Sequence, residues 1–247
     1  MRYLKKFSTH AEYDAYINGS GAILPNVSIC EDAKDVHYKP YDPYNGHDYV
    51  EIGGLKWATM NIGANSITDY GLYFQWGDTQ GYTASQVGSG KGKKYFGWAD
   101  YKYGNGTSSP GDTGMTKYNS TDGKIVLDAS DDAAQVAWGG SWRMPTAAEF
   151  RAFSAAVNTA WTQVNNVYGI LCTDKTDSSK TLFFPAAGSC YDGSVGSVGS
   201  YGFYWASERD SVYMPDAYAF SYSYNSSVYW DDCYYRYGGF AVRPVVG

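Results

Sequence analysis

The chain has 247 residues, a length that suits one large domain or one domain with a small addition. Its formal net charge is −6, so it lacks the basic field expected of a dedicated nucleic-acid-binding protein. Hydrophobic residues make up 44% of the chain, which is enough for a core, but an unusual share of them is tyrosine, of which there are 26.

Residues 1–46 are predicted to form a leader or assembly segment that is separate from the rest. The stretch Tyr38–Gly46 is rich in Pro, Gly and Asn, which is typical of a turn or linker. The segment is too short for a core of its own, so we expect it to contact the main domain or neighbouring subunits. It turns polar at Ser8 without the apolar stretch of a signal peptide, and no run in the chain is long enough to span a membrane. We therefore expect synthesis in the cytoplasm without export by the usual route.

The main domain, residues 47–247, begins with segments that favour strands. Tyr49–Gly53, Leu55–Ile62 and Leu72–Gly77 are rich in β-branched and aromatic residues and are predicted as strands. Residues 78–125 are rich in Gly, Ser, Thr and Lys with little periodicity, so we predict mostly loop there.

Two helices are predicted in the middle of the domain. Thr146 and Glu149 have the spacing of a capping box, in which each side chain bonds the backbone N–H of the other. Three residues give this helix an apolar face: Phe150, Phe153 and Val157. A weaker signal for a second helix lies near residues 131–136. Beyond Leu182 the chain is predicted to form short strands and loops.

The last quarter of the chain is a compositional outlier. Residues 201–247 hold ten of the 26 tyrosines, and residues 218–224 alternate with the period of a strand that has one core face. The runs 208–216 and 231–237 do not alternate and mix Tyr, Asp, Ser and Arg as antibody loops do, while no Lys occurs from Ser189 onward. Composition alone leaves two interpretations open: a recognition surface on a single-sheet scaffold, or a tyrosine-rich β protein whose aromatics pack.

Residues for catalysis or metal binding are sparse. The only histidines are His10, His37 and His47, so no Ser-His-Asp arrangement or histidine metal site is visible in the main domain. Four cysteines form no CxxC pair and are predicted to be free thiols: Cys30, Cys172, Cys190 and Cys233. The adjacent acids Asp231 and Asp232 are interpreted as a solvated pair rather than a calcium site. We predict no catalytic residue, no metal ligand and no cofactor.

Several motifs, in this order, resemble the C-type lectin fold of the formylglycine-generating-enzyme type, and in particular the Fibrobacter-type major domain of Bacteroidetes and their phages. They are Trp57-Ala-Thr-Met-Asn-Ile-Gly, Tyr73-Phe-Gln-Trp-Gly, Gly139-Gly-Ser-Trp-Arg-Met-Pro-Thr-Ala-Ala-Glu149, Phe184-Pro-Ala-Ala-Gly, Tyr204-Trp-Ala-Ser and Gly239-Phe-Ala-Val-Arg-Pro-Val245. The resemblance covers roughly residues 47–247. It implies an α+β fold of short strands and two helices with long loops.

Within this group, residues 189–243 resemble the variable region of proteins diversified by a retroelement. In such systems template adenines are copied with errors, so that AAC codons can become Tyr, Ser, Asp, Gly, Cys, Arg or Pro, but not Trp, Met, Glu or Lys. The resemblance therefore implies a variable, ligand-binding face at the reachable positions: Tyr191, Ser197, Arg209, Asp210, Ser211, Tyr213, Asp216, Ser226, Ser227, Tyr229, Asp231, Asp232, Cys233, Tyr234, Tyr235 and Tyr237. The unreachable residues are assigned to the scaffold: Trp205, Glu208, Met214 and Trp230.

The resemblance implies a non-catalytic, hypervariable receptor-binding protein, displayed on a phage tail and binding a host-surface protein or glycan. The leader would contact other virion proteins, and a homo-oligomer such as a trimer would raise avidity. Neither nucleic acid nor membrane is an expected partner. Catalytic cysteines, an iron-binding histidine cluster and calcium-lectin motifs of relatives are missing from the sequence. One alternative is an enzyme of the same fold, which would need a convergent polar pocket. The other is a fixed-specificity carbohydrate-binding adhesin of a bacterial surface, favoured if Tyr234 and Tyr235 are buried.

Overall fold

A computed structural model of the chain describes residues 44–106, 114–225 and 227–247. The predicted leader, with His10, Cys30 and His37, lies almost wholly outside these residues. The compact unit that holds the described residues runs from Asp42 to Gly247. Tyr44 donates a hydrogen bond to Ser141 (3.0 Å), and the ring of His47 stacks on Trp138 at a centroid distance of 3.7 Å.

The predicted α+β class, and with it the C-type lectin fold, was wrong: the domain is mainly β, with 39% strand and 13% helix. The described residues form four small antiparallel sheets rather than one. One sheet contains β1 (Tyr49–Ile52), β2 (Leu55–Ala58) and β11 (Val245–Val246), in the order β1-β2-β11. A second contains β3 (Val157–Val164), β4 (Val167–Asp174) and β5 (Thr181–Pro185), in the order β3-β4-β5. The third is a hairpin of β6 (Ser189–Tyr191) and β7 (Ser194–Gly196). The fourth contains β8 (Tyr201–Arg209), β9 (Asp216–Ser223) and β10 (Val228–Tyr235), in the order β10-β9-β8.

Two short helices, α1 (Ala133–Trp138) and α2 (Ala147–Ala156), lie between β2 and β3 in sequence. The predicted capping box of α2 is confirmed: the N–H of Glu149 donates to the Thr146 hydroxyl (3.1 Å), and the N–H of Thr146 donates to the Glu149 carboxylate (2.8 Å). Among the described residues, neither helix has the length and apolar character that a bilayer crossing requires.

The excess of strand over expectation has two sources. Val157, predicted on the helix face, instead begins β3, because the segment after Ala156 is rich in β-branched residues that favour strands. Asn165 and Asn166 adopt positive φ angles (47° and 64°) and join β3 to β4 in the two-residue turn typical of hairpins. Three strands beyond residue 200, β8, β9 and β10, are also long, at eight or nine residues, rather than short. Residues 72–77, which were predicted as a strand, form no regular strand and make only isolated bridges.

The sheet β10-β9-β8 lies between two parts of the core. On one side Phe220 and Tyr222 of β9 pack with Phe150 of α2, whose ring lies 5.5 Å from that of Phe220. On the other side Trp205 is fully buried against Phe240 at 4.2 Å and donates through Nε1 to the carbonyl of Phe74 (2.8 Å). Both faces of β9 are therefore buried, not the single face expected. Each such aromatic contributes about 1.5–3 kcal/mol by burial, so this sheet is held firmly.

Candidate functional site: an aromatic face on the last sheet

Aromatic rings form an unbroken path over the surface of the sheet β10-β9-β8. Tyr224 lies 6.2 Å from Tyr201, which stacks 6.2 Å from Phe203. Phe203 is 5.2 Å from Tyr234, and Tyr234 is 5.3 Å from Phe240 below it. Offset and edge-on ring pairs at such distances add about 0.5–1.5 kcal/mol each beyond area burial, so the rings support one another.

The path continues away from the sheet onto two neighbouring loops. Tyr191 contacts Phe240 (5.9 Å) and Tyr237 (5.5 Å), and Tyr237 stacks 5.5 Å from Tyr235. Trp98 lies 4.6 Å from Tyr237 and 5.7 Å from Tyr235. We name the whole set of surface rings the tyrosine face: Trp98, Tyr191, Tyr201, Phe203, Tyr213, Tyr224, Tyr229, Tyr234, Tyr235 and Tyr237.

A break in the pairing of β10 sorts its residues between core and surface. The register of β9 and β10 shifts between Tyr229 and Asp232, so two residues, Trp230 and Asp231, lie in the bulge. Trp230 packs inward on Phe220 at 4.4 Å, nearly parallel to it. Asp231 points outward and pairs with Arg151 of α2 at 3.0 Å. The bulge explains why the run 231–237 does not alternate like an ordinary strand.

The predicted contact residues fall into three groups. Six are exposed: Ser197, Ser211, Tyr213, Tyr229, Asp231 and Tyr235. Eight are half-buried: Tyr191, Asp210, Asp216, Ser227, Asp232, Cys233, Tyr234 and Tyr237. Arg209 is buried and is a correction to the predicted face, because its guanidinium donates inside the domain to the carbonyls of Lys124 (2.8 Å) and Asp210 (2.7 Å). Ser226 lies outside the described residues.

The four residues assigned to the scaffold from their codons are all at least half-buried. Trp205 and Trp230 pack into the core as described above. Glu208 accepts a hydrogen bond from the N–H of Ala147 (2.6 Å) in the first turn of α2, where the helix dipole favours a negative charge. None of these four residues is exposed, whereas six of the predicted contact residues are; the eight half-buried contact residues share the intermediate exposure of Glu208, Met214 and Trp230.

Tyr234 and Tyr235 differ although they are neighbours. The hydroxyl of Tyr234 donates to the Asp232 carboxylate (2.7 Å) and lies 3.0 Å from the hydroxyl of Ser221, so this ring is held in place. Tyr235 is 44% exposed and lies beside the rings of Trp98 and Tyr237. Tyr234 is thus a support of the tyrosine face, and Tyr235 is available for contact.

Sequence reasoning missed several members of the face. Trp98 comes from the long loop region, where Asp100 accepts from the N–H groups of Tyr95 (3.0 Å) and Gly97 (2.8 Å) and so fixes the turn. Only the tertiary fold brings it beside Tyr237. Val212 is also missing from the predicted contact residues, although it is 89% exposed between two of them. Its apolar side chain within a Ser- and Asp-rich run is the signal by which it could have been found.

Negative charge gathers at one end of the face. Asp216 is half-buried and its Oδ1 has no hydrogen-bond partner. Burial and the nearby charges of Asp210 and Asp232 raise the pKa of Asp216 to about 6, although Arg236 opposes them. The thiol of Cys233 donates to Asp210 at 3.4 Å.

The thiols near the face are suited to packing rather than nucleophilic chemistry. Burial raises the pKa of Cys190 to about 12, and burial together with Asp210 raises the pKa of Cys233 to about 12, so both are protonated near neutral pH. Within the described parts of the chain, no group of three or more His, Cys, Asp and Glu residues is arranged to hold a metal ion. No family model, curated protein or solved structure matches the chain.

Proposed function

We propose that the chain is a non-catalytic receptor-binding protein whose tyrosine face is diversified by a retroelement. It would be displayed on a phage virion and bind a protein or glycan of the host surface. One observation supports the proposal: the six exposed members of the predicted contact set are residues that errors at AAC codons can produce, whereas none of Trp205, Glu208, Met214 and Trp230 is exposed. Attachment through residues 1–46 and assembly into a homo-oligomer belong to the same proposal.

The arrangement suits exchange of side chains without loss of the fold. Exposed residues such as Ser211, Tyr213 and Tyr229 have few partners in the core, and substitutions at such positions typically change stability by about 0.5 kcal/mol or less. The buried sheet beneath them is unaffected by what replaces them. Tyrosine and tryptophan supply large contact area with few rotatable bonds, which keeps the entropic cost of binding low.

A fixed-specificity carbohydrate-binding protein of a bacterial surface is the second candidate. The hydrogen bonds of Tyr234 to Asp232 and its contact with Ser221 favour it, because they fix a residue that diversification would exchange. The exposure of Tyr235 does not favour it. The two candidates differ in what natural variants of the gene should contain.

Sequencing the gene from many members of its source population separates the candidates. Diversification predicts substitutions concentrated at the codons of the named contact residues, with Trp205, Glu208, Met214 and Trp230 unchanged, and a near-identical template repeat and a reverse transcriptase beside the gene. A gene with invariant codons at these positions and neither neighbour would contradict the proposal and leave the fixed-specificity candidate.

A further inference from the structure

The outer surface of the last quarter carries negative but no positive side-chain charge. Residues 189–247 contain no Lys or His, and their three arginines are Arg209, Arg236 and Arg243. All three are buried at 3% exposure or less. Arg236 donates to the carbonyl of Tyr118 (2.7 Å) and lies over the ring of Trp76, while Arg243 donates to Asn61 and to backbone carbonyls. The guanidinium groups are therefore occupied inside the domain rather than presented on its surface.

The carboxylates of the same segment remain at the surface. Its acidic residues are Asp192, Glu208, Asp210, Asp216, Asp231 and Asp232, none of them fully buried. Burial, together with the nearby carboxylates of Asp210 and Asp232, destabilises the negative charge of Asp216, and Asp216 keeps an oxygen without a donor. A cation from outside the domain would relieve this repulsion and supply the missing donor.

Exposed aromatic rings border these carboxylates. Asp216 on β9 and Tyr235 on β10 are partners in the strand register, and the side chain of Tyr213 forms a hydrogen bond with that of Tyr235. Tyr213 and Tyr235 are 52% and 44% exposed. A guanidinium or ammonium group is attracted to an aromatic ring by about 0.5–2 kcal/mol and to carboxylates by charge-assisted hydrogen bonds, so the two features favour the same kind of ligand.

We infer that the tyrosine face binds a basic polypeptide segment, with arginine or lysine side chains of the partner stacked on Tyr213 and Tyr235 and paired with Asp210 and Asp232. This inference rests on the proposed function, since it names the class of ligand for that face. It concerns the residues that this chain carries, which would be one sampled specificity of a diversified face.

The free edge of β10 favours an extended polypeptide over a small cation or a neutral glycan. β10 is the last strand of its sheet, and among the described residues it pairs only with β9. The backbone groups on its outer edge can accept a further strand, a common way of recognising extended peptides.

Peptide binding to the full-length chain tests the inference. The probes are fluorescent Gly-Ser peptides that carry evenly spaced arginines, citrullines or glutamates, and the readout is fluorescence anisotropy. Because citrulline has nearly the shape of arginine without its charge, we expect the arginine peptide to bind about tenfold more tightly than the citrulline peptide. Raising the salt from about 0.01 to about 0.15 M shortens the Debye length from roughly 30 to 8 Å and should weaken binding of the arginine peptide.

Two matched double variants locate the effect. Asp210→Asn with Asp232→Asn should lower the affinity for the arginine peptide about tenfold. Glu51→Gln on β1 with Asp177→Asn in the β4–β5 turn removes the same charge elsewhere and should change the affinity less than about twofold. Tyr213→Ser with Tyr235→Ser should also weaken binding, and Tyr→Phe at both positions should preserve it, because the ring is retained. Thermal melting of each variant checks that the fold is intact.

Equal affinity for the arginine and citrulline peptides, or an equal loss in both carboxylate double variants, overturns the inference. Tight binding of a neutral glycan that Tyr213→Ser with Tyr235→Ser abolishes would also overturn it, while leaving the tyrosine face as a ligand site and the proposed function intact. Specific arginine binding by a chain whose gene shows no diversification would do the reverse: the ligand class would stand and the proposed function would fall.

Discussion

β8 and β10 are the two outer strands of one sheet and have opposite roles. Both pair with β9, but β8 is almost entirely buried and β10 is half-exposed along its length. The outer edge of β8 is covered by other chain segments: the N–H of Trp205 donates to the carbonyl of Ala241 (3.1 Å), and that of Ala241 donates to the carbonyl of Phe203 (3.2 Å). In the described residues nothing pairs with the outer edge of β10. One strand therefore anchors the sheet, and the other leaves several of its side chains exposed.

The largest loss of stability is expected from a substitution in β8. Trp205→Ala should lower the free energy of unfolding by about 3–5 kcal/mol, because it leaves a cavity against Phe240 and removes the hydrogen bond to Phe74. Urea denaturation measures the loss. A decrease below about 1 kcal/mol would mean that β8 does not anchor the sheet and would remove the contrast with β10.

Asp216, at the start of β9 beside β10, should make stability depend on pH. Its folded-state pKa of about 6 lies above the value near 3.9 of an unfolded chain, so the folded state holds its proton more tightly. The resulting stabilisation is present below about pH 4 and is lost as the pH rises through 6. Asp216→Asn should therefore be more stable than the natural chain at pH 7, by up to about 2 kcal/mol, and equal to it at pH 4. A difference that is the same at both pH values would show that Asp210 and Asp232 do not perturb this carboxyl.

The support beneath β10 can be weakened through the cap of α2. Thr146→Ala removes the hydroxyl that accepts from the N–H of Glu149, and should lower the free energy of unfolding by about 1 kcal/mol, measured by urea denaturation. Thr146→Ser retains an acceptor and serves as the control. An equal loss for both variants would indicate that the methyl group, rather than the cap, stabilises α2.

The smallest effect on stability is expected on β10 itself. Tyr229→Ser should change the free energy of unfolding by less than about 0.5 kcal/mol, because the ring is 56% exposed. Tyr222→Ser is the matched control: its ring is buried and its hydroxyl donates to the carbonyl of Phe184 (2.6 Å), so it should cost several times more. If thermal melting showed the two losses to be similar, Tyr229 would be a structural residue and the tyrosine face would be smaller than described.

Local signals in the sequence predicted some elements well. The capping box at Thr146 and Glu149 depends on residues three apart, so sequence alone locates the start of α2. The end of the same helix was missed, because Val157 can complete an apolar helix face or begin a strand, and pairing with Asp174 of β4 decides between them. The fold class failed for the same reason: strands depend on partners that are distant in sequence.

The residues of the candidate site likewise divide into those that local sequence signals predict and those that depend on contacts distant in sequence. Composition and codon reach marked Tyr229 and Tyr235 as contact residues, and both are exposed. Arg209 satisfied the same rules and is buried, since only the position of the neighbouring loop around Lys124 determines where its guanidinium points. Trp98 had no local signal at all.

By itself the sequence determined the chemistry of the last quarter: many tyrosines, carboxylates, no lysine, and tryptophans at positions suited to a scaffold. The tertiary structure alone decided which of these side chains face outward. A bulge in β10 turns Trp230 inward and Asp231 outward, and the three arginines of the last quarter, Arg209, Arg236 and Arg243, are buried. Residue type is local information, but exposure depends on what the rest of the chain packs against each residue, and that is set by contacts far apart in sequence.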